Sequence, residues 1–175
     1  GARQIESAVR AAAAYEGPVY LRLHRPSKPM SPAEKLLPLE IGKGQLIIEG
    51  TDAIIFAMGH MVDISIDAAK SLLPHGIKVA VANIHSLKPL DTNFILENSK
   101  LASVIVTAEN HSIIGGLGSA VAETLIEGGL SRKFKRIGIE DTFAEGGSTE
   151  FLFNKYGLNS INIQNTIKRL INDGQ

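Results

Sequence analysis

Apolar positions in the first third of the chain follow a helical repeat and then a strand repeat. The helical positions are Ile5, Ala8, Val9, Ala12 and Ala13. This spacing predicts a helix that ends before Gly17-Pro18, and the alternation over residues 19–23 predicts a short strand. One helix and one strand bury little surface, so this segment is typical of the tail of a larger domain.

From residue 45 onward, strand-like apolar runs alternate with helical patterns. The predicted strands are residues 45–49, 53–58, 77–82, 104–106 and 134–139. The predicted helices are residues 64–74 capped by Asp63, residues 92–98, one after Gly118, one from Ser148 to Tyr156, and a last one capped by Asn159 or Ser160. Gly50-Thr51-Asp52 predicts a hairpin between the first two strands. Alternation of this kind favours a mostly parallel sheet covered on both faces.

A proline-rich stretch separates the two parts. Four prolines, at positions 26, 29, 32 and 38, stand between Arg25 and Gly44. Because proline removes backbone donors and fixes φ, this stretch predicts an extended linker, and we place a domain boundary there.

Charge and cysteine content exclude several functions. The 175 residues include 18 basic and 18 acidic side chains, so no large basic field is available for nucleic acid or anionic lipid. The chain has no cysteine, which excludes disulfides and thiol catalysis. No apolar run reaches the roughly 18 residues that span a bilayer. We therefore expect a cytoplasmic protein without nucleic-acid or membrane partners.

Glycines at positions 115, 116 and 118 follow the strand at Val104 and open a helix. A nucleotide-binding turn is one interpretation, and Glu140 and Asp141 stand where a ribose-binding acid is expected. Val121, however, occupies the place of the third glycine or alanine of the dinucleotide fingerprint. We favour the second interpretation, in which these glycines permit a tight turn and close helix–sheet packing.

Histidines follow several predicted strands. His111 stands beside Glu109 and Asn110, an arrangement typical of an acid–base pair or of a hydrogen-bonded turn that caps the helix or meets a neighbouring subunit. His60 and His85 follow other strands, which raises a metal site as a hypothesis, although no HxxxH spacing supports it.

Two further groups suit anions. Glu145-Gly146-Gly147-Ser148 precedes a helix, where anion binding and ordinary capping both remain open. Arg22, His24, Arg25 and Lys28 form a basic group at the end of the first predicted strand. A strand end followed by a rigid linker suits an arginine that grips a phosphate.

Several segments, in order and over almost the whole chain, resemble the C-terminal part of transketolase. They are GPVYLRLHR at 17–25, IGKG at 41–44, AMG at 57–59, LKPLD at 87–91, TAENHSIIGGLGS at 107–119 and FAEG at 143–146. Deoxyxylulose-phosphate synthase and the beta subunits of 2-oxo acid dehydrogenases share the same domain. Gly147 departs from the more usual pattern after Glu145.

The resemblance implies a layout. Residues 1–25 correspond to the tail of the pyrimidine-binding domain, 26–44 to the linker, and 45–175 to the C-terminal domain. That domain is expected to be a three-layer α/β/α sandwich with a five-stranded mixed, mostly parallel sheet.

The resemblance also implies a function: two-carbon ketol transfer between sugar phosphates in the pentose phosphate pathway, by a dimeric transferase with thiamine diphosphate and magnesium. The activating glutamate and the Gly-Asp-Gly motif of the family belong to parts not matched here. We therefore expect the isolated chain to be inactive and to bind no cofactor, and to work as a homodimer or with an N-terminal section. Arg25 matches the arginine that binds the substrate phosphate, and His24 stands beside it.

Two hypotheses from other classes remain. One is a stand-alone nucleotide-binding regulatory α/β module that uses the turn at 115–119. The other is a purely structural dimerisation domain.

Overall fold

The structure, a computed structural model, describes residues 2–23 and 39–173. Its strands are β1 (Gln45–Ile48), β2 (Ala53–Ala57), β3 (Val79–Asn83), β4 (Val104–Ser112) and β5 (Lys133–Ile139). Its α-helices are α1 (Ala2–Ala14), α2 (Met61–Leu72), α3 (Thr92–Ser99), α4 (Leu117–Glu127), α5 (Thr149–Lys155) and α6 (Ser160–Asn172), and a 3₁₀ turn (Leu73–His75) follows α2.

The five strands form one mixed sheet in the order β1-β3-β2-β4-β5. Strand β1 is antiparallel to β3, whereas the β2–β3, β2–β4 and β4–β5 pairs are parallel. Every residue of β2 and β3 is buried, as expected for central parallel strands covered on both faces. The predicted mixed, mostly parallel sheet with an antiparallel edge is confirmed.

The predicted hairpin between β1 and β2 is wrong, because the two strands do not pair with each other. Instead, Thr51 and Asp52 both donate their backbone N–H to the carbonyl of Lys78, at 3.1 and 3.0 Å. The Asp52 carboxylate accepts the N–H of Lys78 at 2.7 Å. The connection therefore crosses the beginning of β3, and β2 enters the sheet on the far side of that strand.

Helices cover both faces of the sheet and create two apolar layers. Helices α2 and α6 pack on one face, where Met61, Leu72, Ile163 and Ile167 are buried in one cluster. Helices α3 and α4 bring Ile95, Leu117, Val121 and Leu125 to the other face. The architecture is therefore the expected three-layer α/β/α sandwich.

Local capping signals give mixed results. Ser148 and Asn159 cap α5 and α6 as predicted, since their side chains accept the N–H of Phe151 and Asn162. Asp63 is not the cap of α2, which begins at Met61. Asp63 lies within the first turn, where burial raises the pKa of its carboxyl above its ordinary value.

The N-terminal segment contains the predicted helix but not the predicted strand. Residues 18–23 have no strand hydrogen bonding, although their apolar alternation is of strand type. A strand forms only against a neighbouring strand, which nothing within the described residues provides here. The predicted linker lies mostly outside the described residues, so the domain division stays a prediction.

Among the described residues, no helix combines the length and apolar character that crossing a bilayer requires.

The crossing of the β1–β2 connection over β3 depends on the missing side chain of Gly50. A Cβ at this position would lie 2.4 Å from the backbone of Val79 and Ala80, whereas a Cβ at Gly146 would meet nothing within 4 Å. We expect Gly50→Ala to lower the free energy of unfolding by about 1–3 kcal/mol relative to Gly146→Ala, measured by urea denaturation. Equal stabilities of the two variants would contradict the close approach.

Candidate functional site

The carboxyl ends of the parallel strands meet at one edge of the sheet, where ligands usually bind in α/β folds. Four connections lie at this edge: residues 58–60 after β2, 84–91 after β3, 113–116 after β4 and 140–148 after β5. The candidates Glu109, His111, His60, His85 and the Glu145 loop belong to this edge or border it.

Glu109 is the central polar residue of this edge. Its side chain is only 1% exposed. Its carboxylate accepts the backbone N–H of Leu117 and of Gly118, both at 2.7 Å. These are the first two residues of α4, whose unpaired N–H groups and dipole favour a negative charge.

The glycines leave room for this carboxylate. A Cβ at Gly116 would lie 2.0 Å from Glu109 Oε2 and 2.8 Å from the carbonyl oxygen of Ser112. A Cβ at Gly118 would lie 2.7 Å from the side chain of Arg136. Close packing is therefore confirmed at Gly116 and Gly118, whereas Gly115 has open space around it and instead adopts the positive φ of +70° that a tight turn needs.

A second set of hydrogen bonds fixes the loop ahead of α4. The Arg136 guanidinium donates to the carbonyl of Ile113 at 2.8 Å and lies 3.4 Å from Ser119 Oγ. Ser119 Oγ donates to the same carbonyl at 3.1 Å and accepts the N–H of Gly115 at 3.0 Å. The turn thus has its own internal partners.

This arrangement does not suit an added phosphate. The helix N-terminus that would receive the anion already holds the Glu109 carboxylate, and a diphosphate would meet that negative charge. The described residues also contain no group of three or more His, Asp or Glu side chains placed to hold a metal ion. The part of the chain that the structure describes therefore does not fit thiamine diphosphate with its magnesium at this turn.

The described histidines His60, His85 and His111 do not form a common site. His111 is exposed, and its Nδ1 lies 3.0 Å from the carbonyl oxygen of Ser112, while Glu109 points into α4, so the two are not an acid–base pair. The ring of His60 packs against Phe153 with 5.1 Å between centroids. His85 Nδ1 lies 3.0 Å from Ser86 Oγ, and burial lowers the pKa of its imidazole, which favours the neutral ring.

The Glu145 loop is braced by its own side chains. Glu145 forms an ion pair with Lys155 and accepts the Tyr156 hydroxyl at 2.5 Å. The hydrogen bond from Lys155, followed by that from Tyr156, lowers the pKa of the Glu145 carboxyl to about 2. With Ser148 capping α5, the capping interpretation of this loop is confirmed.

His24, Arg25 and Lys28 lie outside the described residues, so their predicted roles stay predictions. Arg22, which belongs to the same basic group, is described. Its Nη2 donates to the backbone carbonyl of Asn110 at 3.2 Å. This contact joins the N-terminal segment to the end of β4.

Sequence reasoning missed two residues of this edge. The sequence pattern places Arg136 only in a strand, and it pairs Glu109 with His111, whereas the structure shows a carboxylate that caps α4 by itself. The sequence did contain a signal for this cap. Glu109 is an acidic residue near the end of a strand, and it stands eight positions before Leu117, where α4 begins between two glycines. A short strand-to-helix loop can bring such a carboxylate back to the helix N-terminus.

Comparison with known proteins gives a consistent assignment. Residues 42–163 match the family model described as transketolase, C-terminal domain. An uncharacterized transketolase family protein of Sinorhizobium fredii is 39% identical over 174 residues, which cover 98% of this chain and 50% of that protein. A 1-deoxy-D-xylulose-5-phosphate synthase of Caldanaerobacter subterraneus is 46% identical over 127 residues, 73% of this chain and 20% of that protein.

A solved structure shows the same fold over nearly the whole chain. It is described as a split gene transketolase, an inactive beta4 tetramer, and it superposes with a TM-score of 0.87 at 40% identity. The match covers 98% of this chain and 55% of that one. The chain thus spans about half the length of the S. fredii relative and of this solved chain.

The Glu109 carboxylate should be a major stabilising group of the domain. Because it is buried and accepts two N–H groups, we expect Glu109→Gln to lower the free energy of unfolding by about 2–3 kcal/mol. Glu123→Gln removes an exposed carboxylate from the same helix and should change it by less than about 0.5 kcal/mol. Urea denaturation compares the two, and equal effects would contradict the capping role.

Proposed function

Because this chain belongs to the transketolase family, matching its C-terminal domain, we propose that it is the C-terminal portion of a thiamine-diphosphate-dependent transketolase. The complete enzyme would transfer a two-carbon ketol unit between sugar phosphates. The chain supplies the C-terminal domain, supports dimerisation and contributes the substrate-phosphate contact. It is not catalytic alone.

The observation that carries this proposal is the match, over nearly the whole chain and at high structural similarity, to a split gene transketolase. The split gene match covers 98% of this chain, so it extends before residue 42, where the match to the domain model begins.

Exposed apolar side chains of the N-terminal segment favour a larger assembly in which they are covered. Ile5, Val9, Val19, Leu21 and Leu23 are all at least 39% exposed. Apolar side chains at helical and strand spacing normally face a core. We assign this segment to the end of a pyrimidine-binding domain whose body would cover these side chains, either in an N-terminal section or in a homodimer.

Catalytic groups are assigned outside the C-terminal domain. Thiamine diphosphate supplies the carbanion chemistry of such enzymes, with magnesium holding its diphosphate. At the sheet edge described above, Glu109 occupies the helix N-terminus that would otherwise attract a diphosphate. We therefore assign the cofactor to residues beyond this chain and assign only a phosphate contact to this one, at Arg25 with His24 beside it.

Related activities are the nearest alternatives. A deoxyxylulose-phosphate synthase or a 2-oxo acid dehydrogenase beta subunit would use the same domain, and a synthase is among the relatives reported above. A stand-alone nucleotide-binding module is disfavoured by the self-capped turn, since its phosphate would compete with a buried carboxylate.

Activity should require the complete enzyme and should depend on Arg25 through the substrate phosphate. We expect no ketol transfer by this chain alone and transfer in the complete enzyme. There, Arg25→Ala should raise KM about tenfold or more for a sugar phosphate, and much less for the unphosphorylated sugar, because a charge-assisted phosphate contact contributes about 1.5–3 kcal/mol.

The matched control is Arg10→Ala, which removes an exposed arginine paired with Glu6 on α1. It should leave both KM values unchanged. Equal KM increases for the two substrates in Arg25→Ala would refute the phosphate role of Arg25. Ketol transfer by this chain alone would refute the proposal that the catalytic groups lie outside it.

A further inference from the structure

The contact between Arg22 and Asn110 links two parts of the chain that are far apart in sequence. The two residues are 88 positions apart, and the bond runs from the guanidinium to a main-chain carbonyl at 3.2 Å. A second link lies nearer the start of the chain, where Ser7 Oγ accepts the N–H of Leu39 at 2.8 Å. Of the two contacts, that of Arg22 lies nearer the end of the described N-terminal segment, residues 2–23.

The acceptor of this bond is presented by an irregularity in β4. Ala108 pairs with Ile137, but the next pair is Ser112 with Ile139, so β4 advances four residues while β5 advances two. The two extra residues form a bulge that takes Asn110 out of the regular ladder with β5. Bulges of this kind commonly re-aim groups beside functional sites.

Strand β5 makes room for the bulge at Gly138. A Cβ there would lie 2.9 Å from the carbonyl oxygen of His111 and 2.8 Å from Ile113 Cγ2. Glu109 lies in the same irregular stretch, and both oxygens of its carboxylate accept N–H groups of α4. The carbonyl of Asn110 is therefore carried by a rigid part of the domain, although the contact itself is at the surface.

We propose that Arg22 is a positioning residue that fastens the end of the N-terminal segment to the β4 bulge. Its effect reaches the substrate through the next residues of the chain. Arg25, to which the proposed function assigns the phosphate contact, follows Arg22 by three positions in the sequence. This inference rests on the proposed function, which assigns phosphate binding to Arg25.

An arginine suits this task for a physical reason. Its guanidinium is always charged and carries several donors in a rigid fork, so it can bond a carbonyl while its stem packs along the segment. The alternative is an arginine that is simply solvated. In that case its removal would leave the position of the N-terminal segment on the domain unchanged. The experiment distinguishes these two cases.

The test compares Arg22→Gln with Arg10→Gln in the complete enzyme. Both variants remove one exposed guanidinium from the N-terminal segment, but among the described residues Arg10 bonds Glu6, within α1. We expect Arg22→Gln to raise KM for the sugar phosphate about three- to tenfold with kcat nearly unchanged, and to leave KM for the unphosphorylated sugar within about twofold. Arg22→Lys should recover part of the loss, and Arg10→Gln should change nothing.

A second readout does not depend on catalysis. The chain has no cysteine, so Tyr20→Cys and Glu127→Cys provide two exposed positions for spin labels. We expect one narrow distribution of the distance between the two spin labels. Arg22→Gln should broaden this distribution, and Arg10→Gln should leave it narrow.

The outcomes separate this inference from the proposed function. An unchanged distance distribution together with unchanged KM in Arg22→Gln would overturn the positioning role, even if Arg25→Ala confirms the phosphate contact. A broadened distribution with equal KM increases for both substrates would also overturn it, because the contact would then be structural only. Failure of Arg25→Ala to discriminate the two substrates would instead refute the phosphate role that the proposed function assigns to Arg25.

Discussion

The buried carboxylate of Glu109 at the start of α4 is the interaction on which the edge of this sheet depends. It satisfies two N–H groups that the helix leaves unpaired, and it places a negative charge where the helix dipole favours one. Glu109 lies where the register between β4 and β5 shifts, and its carboxylate occupies space that a side chain at Gly116 would fill. The bulge, the glycine turn and the helix start are thus parts of one constraint.

This constraint explains why a glycine-rich strand-to-helix turn need not be a nucleotide site. Such turns bind phosphate because N–H groups and a dipole await an anion. Here the protein supplies the anion from its own β4, and Arg136 holds the loop alongside it. In the proposed function, the C-terminal domain is a support, and the substrate contact belongs to the N-terminal segment whose Arg22 bonds β4.

Much of the fold followed from local patterns, whereas features that need a distant partner did not. The five strands, most helices and the caps Ser148 and Asn159 follow from periodicity and nearby residues, and these predictions are confirmed. The alternation of strands with helices was enough to predict the mostly parallel sheet, although its strand pairs are distant in sequence. The β1–β2 hairpin failed because Lys78, 26 positions beyond Asp52, redirects the connection. The strand at 19–23 failed because a strand needs a neighbour. The Glu109 cap and the Arg22 contact depend on side-chain reach, which periodicity does not encode.

The most direct test of the account is an isothermal titration calorimetry experiment in which this chain is titrated separately with ADP, NAD and thiamine diphosphate. Because Glu109 already fills the helix N-terminus, the account predicts no saturable heat for any of the three. Saturable binding of a nucleotide that Gly118→Val abolishes would contradict it, since the turn would then be a working phosphate site.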